Sequence, residues 1–352
     1  MARLLFVTGT PPDVRGGSGT YVGISVLREA VEARGHHVDL VAPTSPGFVS
    51  LARRLAFNVM LRGKVKHAHP DVVVGFDYDG LFLPRSLGCH VASIKGVIAE
   101  EARFESGVPF ARLTAESFLE KLHVRRSDRI LATSRHSASR IVADYGVAPD
   151  RISVVSESID LTRWQAALGA ADGPRPAHRA ILCVAHLYPR KDVATLLRAL
   201  KELPRDVFLR VVGTGPKLSR LLREARSLQV ADRVSFLGHI PYSALAAEYR
   251  RADLFCLPSR QEGFGIVFLE AMAAGLPIVA ARAAAVPEVV ADGECGILVA
   301  PGNSEELASA LARLLSDPAE GRRLGSAGLA RVERYDAPQI AGEFLEAVGL
   351  KQ

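Results

Sequence analysis

The chain has 352 residues, of which 48% are hydrophobic and 23% charged, and its formal net charge is +6. This length exceeds one ordinary hydrophobic core and suits two domains, and the composition excludes an intrinsically disordered chain. No apolar run reaches the roughly 18 residues of a membrane-spanning helix, and the first residues read as a strand and not as a signal peptide, so the sequence predicts a cytoplasmic protein.

Two stretches in the first half of the chain are rich in basic residues. Residues 48–67 contain five Lys and Arg and no acidic residue, and a second basic stretch runs from Lys121 through Arg140. Such stretches attract phosphates and anionic lipids, so we expect either a solvated, donor-facing surface or weak, peripheral association with an anionic membrane. No aromatic residues are interleaved with the charges, which argues against nucleic acid as a partner.

Short apolar runs alternate with helical patterns in the first half. The predicted strands are Leu4–Thr8, Val38–Val41, Val72–Val74, Val91–Ile94, Ile130–Thr133 and Ile152–Val155. Helices are predicted between them, for example over Thr20–Arg34 and Ala115–Arg126. Nearly continuous apolar runs of this kind are typical of parallel strands that are buried on both faces.

A second alternating series follows a segment rich in Ala, Gly and Pro, residues 166–179, which predicts an interdomain linker. The predicted strands are Ala180–Ala185, Leu209–Val212, Val234–Phe236, Leu254–Leu257, Ile278–Ala281 and Ile297–Val299. The predicted helices are Val193–Glu202, Lys217–Leu228, Ser243–Arg250, Ile266–Ala274 and Ser304–Leu315.

The two series predict an α/β protein built from two doubly wound, Rossmann-like domains. We expect an N-terminal domain over residues 1–165, a C-terminal domain over 180–336, and a last helix within 337–352. Ligands of such sheets bind at the carboxyl ends of the strands, so the expected site is a cleft across which the two domains face each other.

A glycine-rich loop follows the first predicted strand. It contains Gly16 and Gly17 and leads into the helix that begins at Thr20. Glycine lets the backbone approach a ligand closely, and a helix N-terminus offers free N–H groups to an anion. The loop fits neither the dinucleotide fingerprint nor the P-loop, so a plain tight turn stays the alternative to a ligand-binding loop.

The first strand of the second half leads into a cationic loop that contains His186 and Lys191. Lys191 would hold a phosphate as a point charge, beside a helix start that already favours anions. His186 would donate to a phosphate or a sugar, and a hydrogen-bonded structural histidine is the alternative.

A loop and helix in the second half carry the strongest signal. Gly263 and Gly265 lead into an apolar helix, and Glu270 interrupts the apolar face of that helix. A carboxylate there is costly to bury unless it accepts good hydrogen bonds, which two neighbouring ribose hydroxyls would supply. Glu262 lies in the loop, and the free N–H groups from Gly265 to Phe268 would hold a diphosphate. The alternative is a capped helix whose one glutamate reaches solvent.

On these residues the sequence resembles the retaining glycosyltransferases of family four, which have the two-domain GT-B fold. Glu262 and Glu270 look like the glutamate–seven–glutamate motif of that family, and Gly16-Gly17 is similar to its N-terminal phosphate loop. Three further segments resemble its proline-asparagine-glycine-valine-aspartate signature, its glycine-x-glycine-proline turn and its donor-base segment, in that order: Val155–Asp160, Val212–Pro216 and Phe236–Ile240.

The resemblance implies transfer of a sugar from a UDP-, GDP- or ADP-sugar to a hydroxyl acceptor. His186 and Lys191 would hold the diphosphate, Glu270 the ribose and Glu262 the transferred sugar. Further donor contacts are expected from Gly16, Gly17, Gly213, His239, Ile240, Gly263, Phe264, Gly265, Ile266 and Val267. We expect Glu262, Lys191 and Lys95 to take part in catalysis, with no metal ion and no cofactor.

Three positions depart from the family pattern. The family usually has arginine at the position of His186, and it often has histidine before glycine where this chain has Lys95. Its histidine-x-histidine-aspartate pattern appears here as Val74-Gly-Phe-Asp77, and we expect Asp77 and Tyr78 on the acceptor side. Lys95 follows a strand end and should point into the site as a cation.

A lysine tethered to a nearby acid, such as Glu100 or Glu101, is the alternative for Lys95.

Charge grows on the leaving phosphate as the diphosphate separates from the anomeric carbon, and fixed cations and helix N–H groups stabilise it. No carboxylate nucleophile is evident, so we expect displacement on the same face by internal return. A nucleotide-sugar 2-epimerase and a sugar-nucleotide-binding protein that has lost catalysis stay open as alternatives.

Overall fold

The computed structural model of the chain describes residues 1–11, 19–43, 50–65, 68–171 and 178–350. The chain forms two compact units, one made of Met1–Ser158 together with Asp336–Gln352 and the other of Ile159–Tyr335. Each unit contains a six-stranded parallel sheet flanked by helices. The two doubly wound sheets that the sequence predicts are therefore confirmed.

The sheet of the first unit runs in the order β2-β1-β3-β4-β5-β6. Its strands are β1 (Arg3–Val7), β2 (His37–Val41), β3 (Val72–Phe76), β4 (Cys89–Ile94), β5 (Arg129–Ala132) and β6 (Ile152–Val154). Its helices before β6 are α1 (Thr20–Ala33), α2 (Leu51–Lys64), α3 (Ile98–Glu101), α4 (Gly107–Arg126) and α5 (Arg135–Tyr145). The direction of winding reverses between β1 and β3, and ligands of doubly wound sheets bind at such a switch point.

Side-chain caps begin two helices whose bounds the sequence did not predict. The hydroxyl of Ser50 accepts from the N–H of Arg53 at the start of α2, and that of Ser134 accepts from the N–H of Ser137 at the start of α5. Helix α5 ends at Gly146, whose φ of +63° is the left-handed conformation that terminates many helices. The two serine caps each satisfy a backbone N–H that the first helical turn leaves without a partner.

The sheet of the second unit runs in the order β12-β11-β10-β7-β8-β9. Its strands are β7 (Arg179–Val184), β8 (Val207–Val212), β9 (Val234–Gly238), β10 (Leu254–Leu257), β11 (Ile278–Ala281) and β12 (Gly296–Val299). Its helices are α6 (Leu161–Ala170), α7 (Val193–Glu202), α8 (Leu218–Ser227), α9 (Tyr242–Arg251), α10 (Ile266–Ala273), α11 (Val286–Val289), α12 (Ser304–Ser316) and α13 (Pro318–Val332). The winding reverses between β7 and β10, which are hydrogen-bonded neighbours.

The segment predicted as a linker differs from the structure in its first part. Residues 166–170 are the end of helix α6, and the division between the units falls earlier, after Ser158. Asp160 caps α6 by accepting from the N–H of Arg163, and Trp164 of the same helix is fully buried in the second unit. The sequence did not predict the end of this helix because residues 166–170 were read as linker composition, although alanine is also a strong helix former.

The last helix, α14 (Ala337–Ala347), belongs to the first unit and packs against α1. Phe344 meets Phe6 of β1 edge to face, with ring centroids 5.7 Å apart. The guanidinium of Arg34 donates to the carbonyl oxygen of Pro338 at 2.8 Å. The sequence predicted this helix but left open which half it joins, and the structure answers that question.

Candidate functional site

Two loops meet at the point where the second sheet reverses its winding. One follows β7 and contains His186 and Lys191, and the other follows β10 and contains Glu262 and Gly265. Since β7 and β10 are adjacent and parallel, their carboxyl ends lie side by side at one edge of the sheet. Four of the residues that the sequence predicts for the donor, His186, Lys191, Glu262 and Gly265, thus lie in loops at the edge where such sheets bind ligands.

An ion pair joins these two loops. The Nζ atom of Lys191 lies 2.5 Å from Oε1 of Glu262, and the hydroxyl of Ser259 donates to the same oxygen at 2.7 Å. Both side chains of the pair are largely buried, with 14% of Lys191 and 7% of Glu262 exposed. The pair therefore fixes an ammonium and a carboxylate side by side at the strand ends.

A second set of bonds holds the same loops together. The N–H of Arg260 donates to the carbonyl oxygen of Arg190 at 2.7 Å, and the guanidinium of Arg190 donates to the amide oxygen of Gln261 at 2.9 Å. The site is consequently built from two loops that hold each other in place, as a preorganised electrostatic site requires.

Gly265 shapes the start of helix α10. Its φ is +95°, and a Cβ atom on it would lie 2.6 Å from Cδ2 of Phe268, so only glycine fits without strain. As the N-cap residue, Gly265 has no side chain with which to cap this helix, and the first N–H groups of a helix have no partner within it. The side chain of Phe264 is buried against Tyr335, so this residue offers the loop its backbone and not its ring.

Glu270 lies half-buried on helix α10, five residues after Gly265. Its Oε2 accepts a hydrogen bond from the hydroxyl of Tyr249 at 2.7 Å, and its carbonyl oxygen accepts from the indole N–H of Trp164 at 3.1 Å. Burial raises the pKa of Glu270 to about 7, and the bond from Tyr249 opposes that rise. Removal from water favours the neutral carboxyl, so a ligand that donates hydrogen bonds would stabilise its charged form.

The turn after β8 supports the loop after β7. Gly213 has a φ of +126°, and a Cβ on it would lie 1.9 Å from the carbonyl oxygen of Ala185. The N–H of Leu187 donates to the carbonyl oxygen of Thr214 at 2.8 Å. This close packing gives Gly213 a structural reason to be glycine, in addition to the donor contact that the sequence predicts.

Two more predicted donor residues follow β9. His239 and Ile240 come directly after Gly238, whose carbonyl oxygen accepts from the N–H of Gly213 at 2.8 Å. His239 is exposed, and the ring of His186 lies 6.1 Å from that of Tyr188. Gly16 and Gly17 lie outside the described residues, so their predicted role stays a prediction.

In the first unit, a charged network follows β3 at the switch point of that sheet. Asp77 has a φ of +55°, unusual for a residue with a side chain. The guanidinium of Arg54, from α2, lies 3.2 Å from Asp77 and 2.6 Å from the fully buried Asp79. Asp79 also accepts from the N–H of Gly9, which follows β1, so the network ties both strand ends together.

The prediction that Tyr78 faces an acceptor does not fit the structure. Only 1% of Tyr78 is exposed, and its ring is covered by the guanidinium of Arg54 at 4.0 Å. The left-handed backbone at Asp77 turns the following residue inward, and burial raises the pKa of the Tyr78 hydroxyl well above its usual value. Arg54, which sequence reasoning missed, stands at this edge instead.

Lys95 forms an ion pair, but not with the acids that the sequence suggested. Its Nζ lies 2.9 Å from Oε1 of Glu157, which follows β6. Its backbone N–H donates to Oδ1 of Asp77 at 3.3 Å. Sequence reasoning missed Glu157 as a site residue, although it stands in the segment that matches the family signature loosely.

Comparison with known proteins agrees with this geometry. The family described as "Glycosyl transferases group 1" matches residues 171–331, and "Glycosyltransferase Family 4" matches residues 15–163. A GDP-mannose-dependent alpha-(1-6)-phosphatidylinositol monomannoside mannosyltransferase of Mycobacterium tuberculosis is 30% identical over 369 aligned positions, 93% of each chain. An MMP alpha-(1->4)-mannosyltransferase of Mycolicibacterium hassiacum is 38% identical over 64% of this chain, which spans 54% of that relative's length.

The fold has a solved counterpart of the same size. Sucrose-phosphate synthase from Thermosynechococcus elongatus superposes with a TM-score of 0.83 and 20% identity, covering 98% of both chains. No helix within the described ranges is both long and apolar enough to cross a membrane. From the sequence matches and the two sheets together, the chain belongs to the family four, or group 1, glycosyltransferases, which transfer hexoses, and it has their GT-B fold.

Proposed function

We propose that this chain transfers a sugar from a nucleotide-diphosphate sugar to a hydroxyl acceptor, without a metal ion and with retention of configuration. The observation that carries the proposal is the ion pair of Lys191 with Glu262, at the switch point of the second sheet. Glu270 lies on the helix that begins beside that pair. A fixed cation and an uncapped helix start suit the diphosphate of such a donor, and two carboxylates suit its hydroxyl groups.

The diphosphate would lie between Lys191 and the first turn of α10. Negative charge grows on the leaving phosphate as the bond to the anomeric carbon breaks, and a positioned ammonium and N–H groups stabilise that charge most in the transition state. Lys191 and the helix thereby supply the positive charge that a metal ion supplies in other sites. This is our reason for proposing a metal-independent reaction.

The two glutamates would hold different parts of the donor. Glu270, whose Oε2 already accepts from Tyr249, would accept from the two ribose hydroxyls, and these donors would favour its charged form. Glu262, tied through Oε1 to Lys191 and Ser259, would accept from a sugar hydroxyl with its other oxygen. Since that carboxylate is already ion-paired, we propose same-face displacement and not a covalent glycosyl intermediate.

GDP-mannose is the donor that we propose to test first. The relative that matches 93% of this chain is described as GDP-mannose-dependent. A solved structure of HepE from Anabaena in complex with UDP-glucose has a TM-score of 0.78 at 20% identity, so UDP-glucose is the second donor of the panel.

Calorimetry with GDP, UDP and ADP, each with and without a chelator, tests the proposal. We expect one nucleotide to bind equally well in both conditions, and we expect Glu270→Gln to weaken that binding while Glu262→Gln chiefly lowers turnover. Strict dependence on magnesium or manganese would refute metal independence. Equal effects of the two substitutions on nucleotide affinity would contradict the division of roles.

Product analysis separates transfer from epimerisation. A glycosyltransferase supplied with GDP-mannose or UDP-glucose and no acceptor should release free sugar slowly or not at all. Accumulation of a C2 epimer of the donor would show the alternative isomerase activity instead.

We further propose that the first unit associates peripherally with anionic membranes. Helices α2 and α4 carry the exposed apolar side chains Val59, Met60, Val108, Phe110, Phe118 and Leu122. Exposed basic residues accompany them, among them Arg53, Arg62, Lys64, Arg125 and Arg126. Exposed apolar side chains among cations suit a surface of anionic lipid.

Co-sedimentation with vesicles tests this second part. Binding is expected for phosphatidylcholine vesicles that contain phosphatidylglycerol, and we expect it to fall in high salt because the attraction is screened. Phe118→Ser and Met60→Ser should weaken it, whereas Leu222→Ser, an exposed leucine of the second unit, should not. Equal binding to uncharged vesicles would refute the role of charge.

A further inference from the structure

Two buried, oppositely charged side chains meet at the carboxyl edge of the first sheet. Lys95 follows β4 and Glu157 follows β6, and Nζ of the lysine lies 2.9 Å from Oε1 of the glutamate. Only 10% of the lysine side chain and 8% of the glutamate side chain are exposed. The pair therefore lies at the sheet edge where ligands bind, largely removed from water.

The pair has hydrogen-bonding capacity that the protein leaves unused. An ammonium group has three N–H donors, and a carboxylate accepts at both oxygens. Within the described ranges, Nζ of Lys95 contacts Glu157 and the ring of Phe76, whose centroid is 5.5 Å away, and has no other recorded polar partner. Glu157 likewise has no recorded polar partner besides Lys95 in that part of the chain.

Stability does not explain why such a pair is present. Removing two charges from water costs about as much as their attraction returns, and apolar residues of similar size in their place are often neutral or stabilising. Neither Nζ of Lys95 nor an oxygen of Glu157 is among the fully buried atoms without a partner, so the donors and acceptors that the pair leaves unused are accessible to a ligand. The pair is thus explained better by a ligand that completes its hydrogen bonds.

Both members of the pair stand where this sequence departs from its family. Lys95 replaces a histidine that often precedes glycine, and Glu157 stands at the asparagine of the proline-asparagine-glycine-valine-aspartate signature. The two departures are far apart along the chain and meet in space.

We infer that Lys95 and Glu157 together recognise neighbouring hydroxyls of a polyol acceptor. The inference rests on the proposed function and adds the chemical class of the acceptor. The ammonium donates to one hydroxyl oxygen, and the carboxylate accepts the O–H of the next, so each hydroxyl finds a partner of the right kind.

Charge balance argues for a polyol over an anion at this position. The formal charges of Lys95 and Glu157 cancel, so the pair attracts a phosphate weakly, and a phosphate next to the carboxylate would be repelled. A sugar or cyclitol that presents adjacent hydroxyls meets no such repulsion. An anionic group on the acceptor would have to be bound elsewhere.

The test measures binding of polyol and anionic probes to the full chain. The polyol probes are myo-inositol, glucose and glycerol, the anionic probe is inorganic phosphate, and the readout is calorimetry in the presence of saturating GDP or UDP. The variants are Lys95→Met, Glu157→Gln and the exchange Lys95→Glu with Glu157→Lys. Glu248→Gln is the matched control, because Glu248 is a buried, ion-paired glutamate outside both sites.

We expect at least one polyol to bind and both single substitutions to weaken it about tenfold or more, with Glu248→Gln near wild type. The exchange should restore thermal stability and part of the polyol binding, since it restores an ion pair and each hydroxyl can both donate and accept. Loss of polyol binding that only follows loss of thermal stability, with Glu248→Gln losing as much, would show a purely structural pair and overturn the inference.

Three other results would overturn it as well: no polyol of the panel binds, the variants bind it as the wild type does, or phosphate binds in a Lys95-dependent manner. Nucleotide affinity, measured in the same proteins, keeps this failure apart from failure of the proposed function. Normal nucleotide binding with no change of polyol binding in the variants would refute this inference alone, whereas absence of nucleotide binding in the wild type would refute the proposed function.

Discussion

Replacing Glu270 by glutamine is expected to stabilise the second unit at alkaline pH while weakening its binding of nucleotide. Burial raises the pKa of this carboxyl from 4.5 to about 7 in the folded chain. Folding therefore favours the protonated form, and the stability that this form contributes is complete below the unfolded pKa. It is lost as pH rises through about 7.

The magnitude follows from the difference between the two pKa values. Each unit of pKa corresponds to about 1.4 kcal/mol, so keeping this carboxylate charged above pH 7 costs about 3 kcal/mol, less where water reaches the half-buried group. Glutamine has nearly the same shape, carries no charge, and still accepts from the hydroxyl of Tyr249. The variant should thus be more stable than wild type at pH 8.5 by up to about 3 kcal/mol, and equal to it near pH 4.5.

Thermal unfolding at several pH values measures this difference. A gain of this size raises the melting temperature of a unit this large by roughly 5 °C or more. Glu294→Gln, which removes an exposed glutamate of the same unit, is the control and should change the melting temperature little at any pH. A shift for Glu270→Gln that is the same at pH 5 and pH 8.5 would refute the reasoning, because a cost of charge must depend on pH.

Nucleotide should narrow the difference in stability between the wild type and Glu270→Gln. A ligand at 100 times its dissociation constant stabilises the folded chain by about 2.7 kcal/mol. Wild type should gain this amount with its cognate nucleoside diphosphate, and Glu270→Gln should gain less because its amide replaces a charged acceptor for the ribose. Equal stabilisation of both proteins would remove Glu270 from the donor site.

Three further substitutions test single contacts of the two sites. Tyr249→Phe removes the hydrogen bond that lowers the pKa of Glu270 and should move the pH midpoint of nucleotide binding upward, as calorimetry across pH 6–9 would detect; an unchanged midpoint contradicts it. Gly265→Ala places a Cβ 2.6 Å from Phe268 at a φ of +95°, so we expect a loss of about 1–3 kcal/mol in thermal unfolding and weaker nucleotide binding, and wild-type values for both would show that the loop tolerates the change. Lys95→Ala should lower turnover about 100-fold or more in protein that still folds but is less stable, because Glu157 loses its partner, and wild-type turnover in that protein would rule out a role for Lys95.

Strand positions were predictable because parallel strands are buried on both faces. Val72–Val74 and Leu254–Leu257 are continuous apolar runs, and both lie within observed strands. Helix α2 was harder to predict because its exposed face mixes Val59 and Met60 with arginines, which blurs the apolar periodicity. Caps such as Ser50 are single residues whose role depends on local geometry.

The motifs of the donor site could be predicted, but their contacts could not. Glu262 and Lys191 were identified in separate loops, and their pairing depends on β7 lying next to β10, which periodicity does not reveal. The ion-pair partner of Lys95 was predicted among the acids next to it in sequence. It is Glu157, which follows β6, and this pairing also depends on the order of the strands, which periodicity does not reveal. The inward direction of Tyr78 follows from the positive φ of Asp77, which the residue types at these positions do not predict.

The return of the last helix to the first unit has a consequence for synthesis. Domains of a nascent chain generally fold in the order in which they emerge. Here the apolar core of the first unit includes Ile340, Phe344 and Leu345, so that core stays incomplete until helix α14 has been translated. The second unit emerges whole before then, and we expect the unit that is made first to be the last to reach its native state, with a truncation before α14 leaving Phe6 without the ring of Phe344.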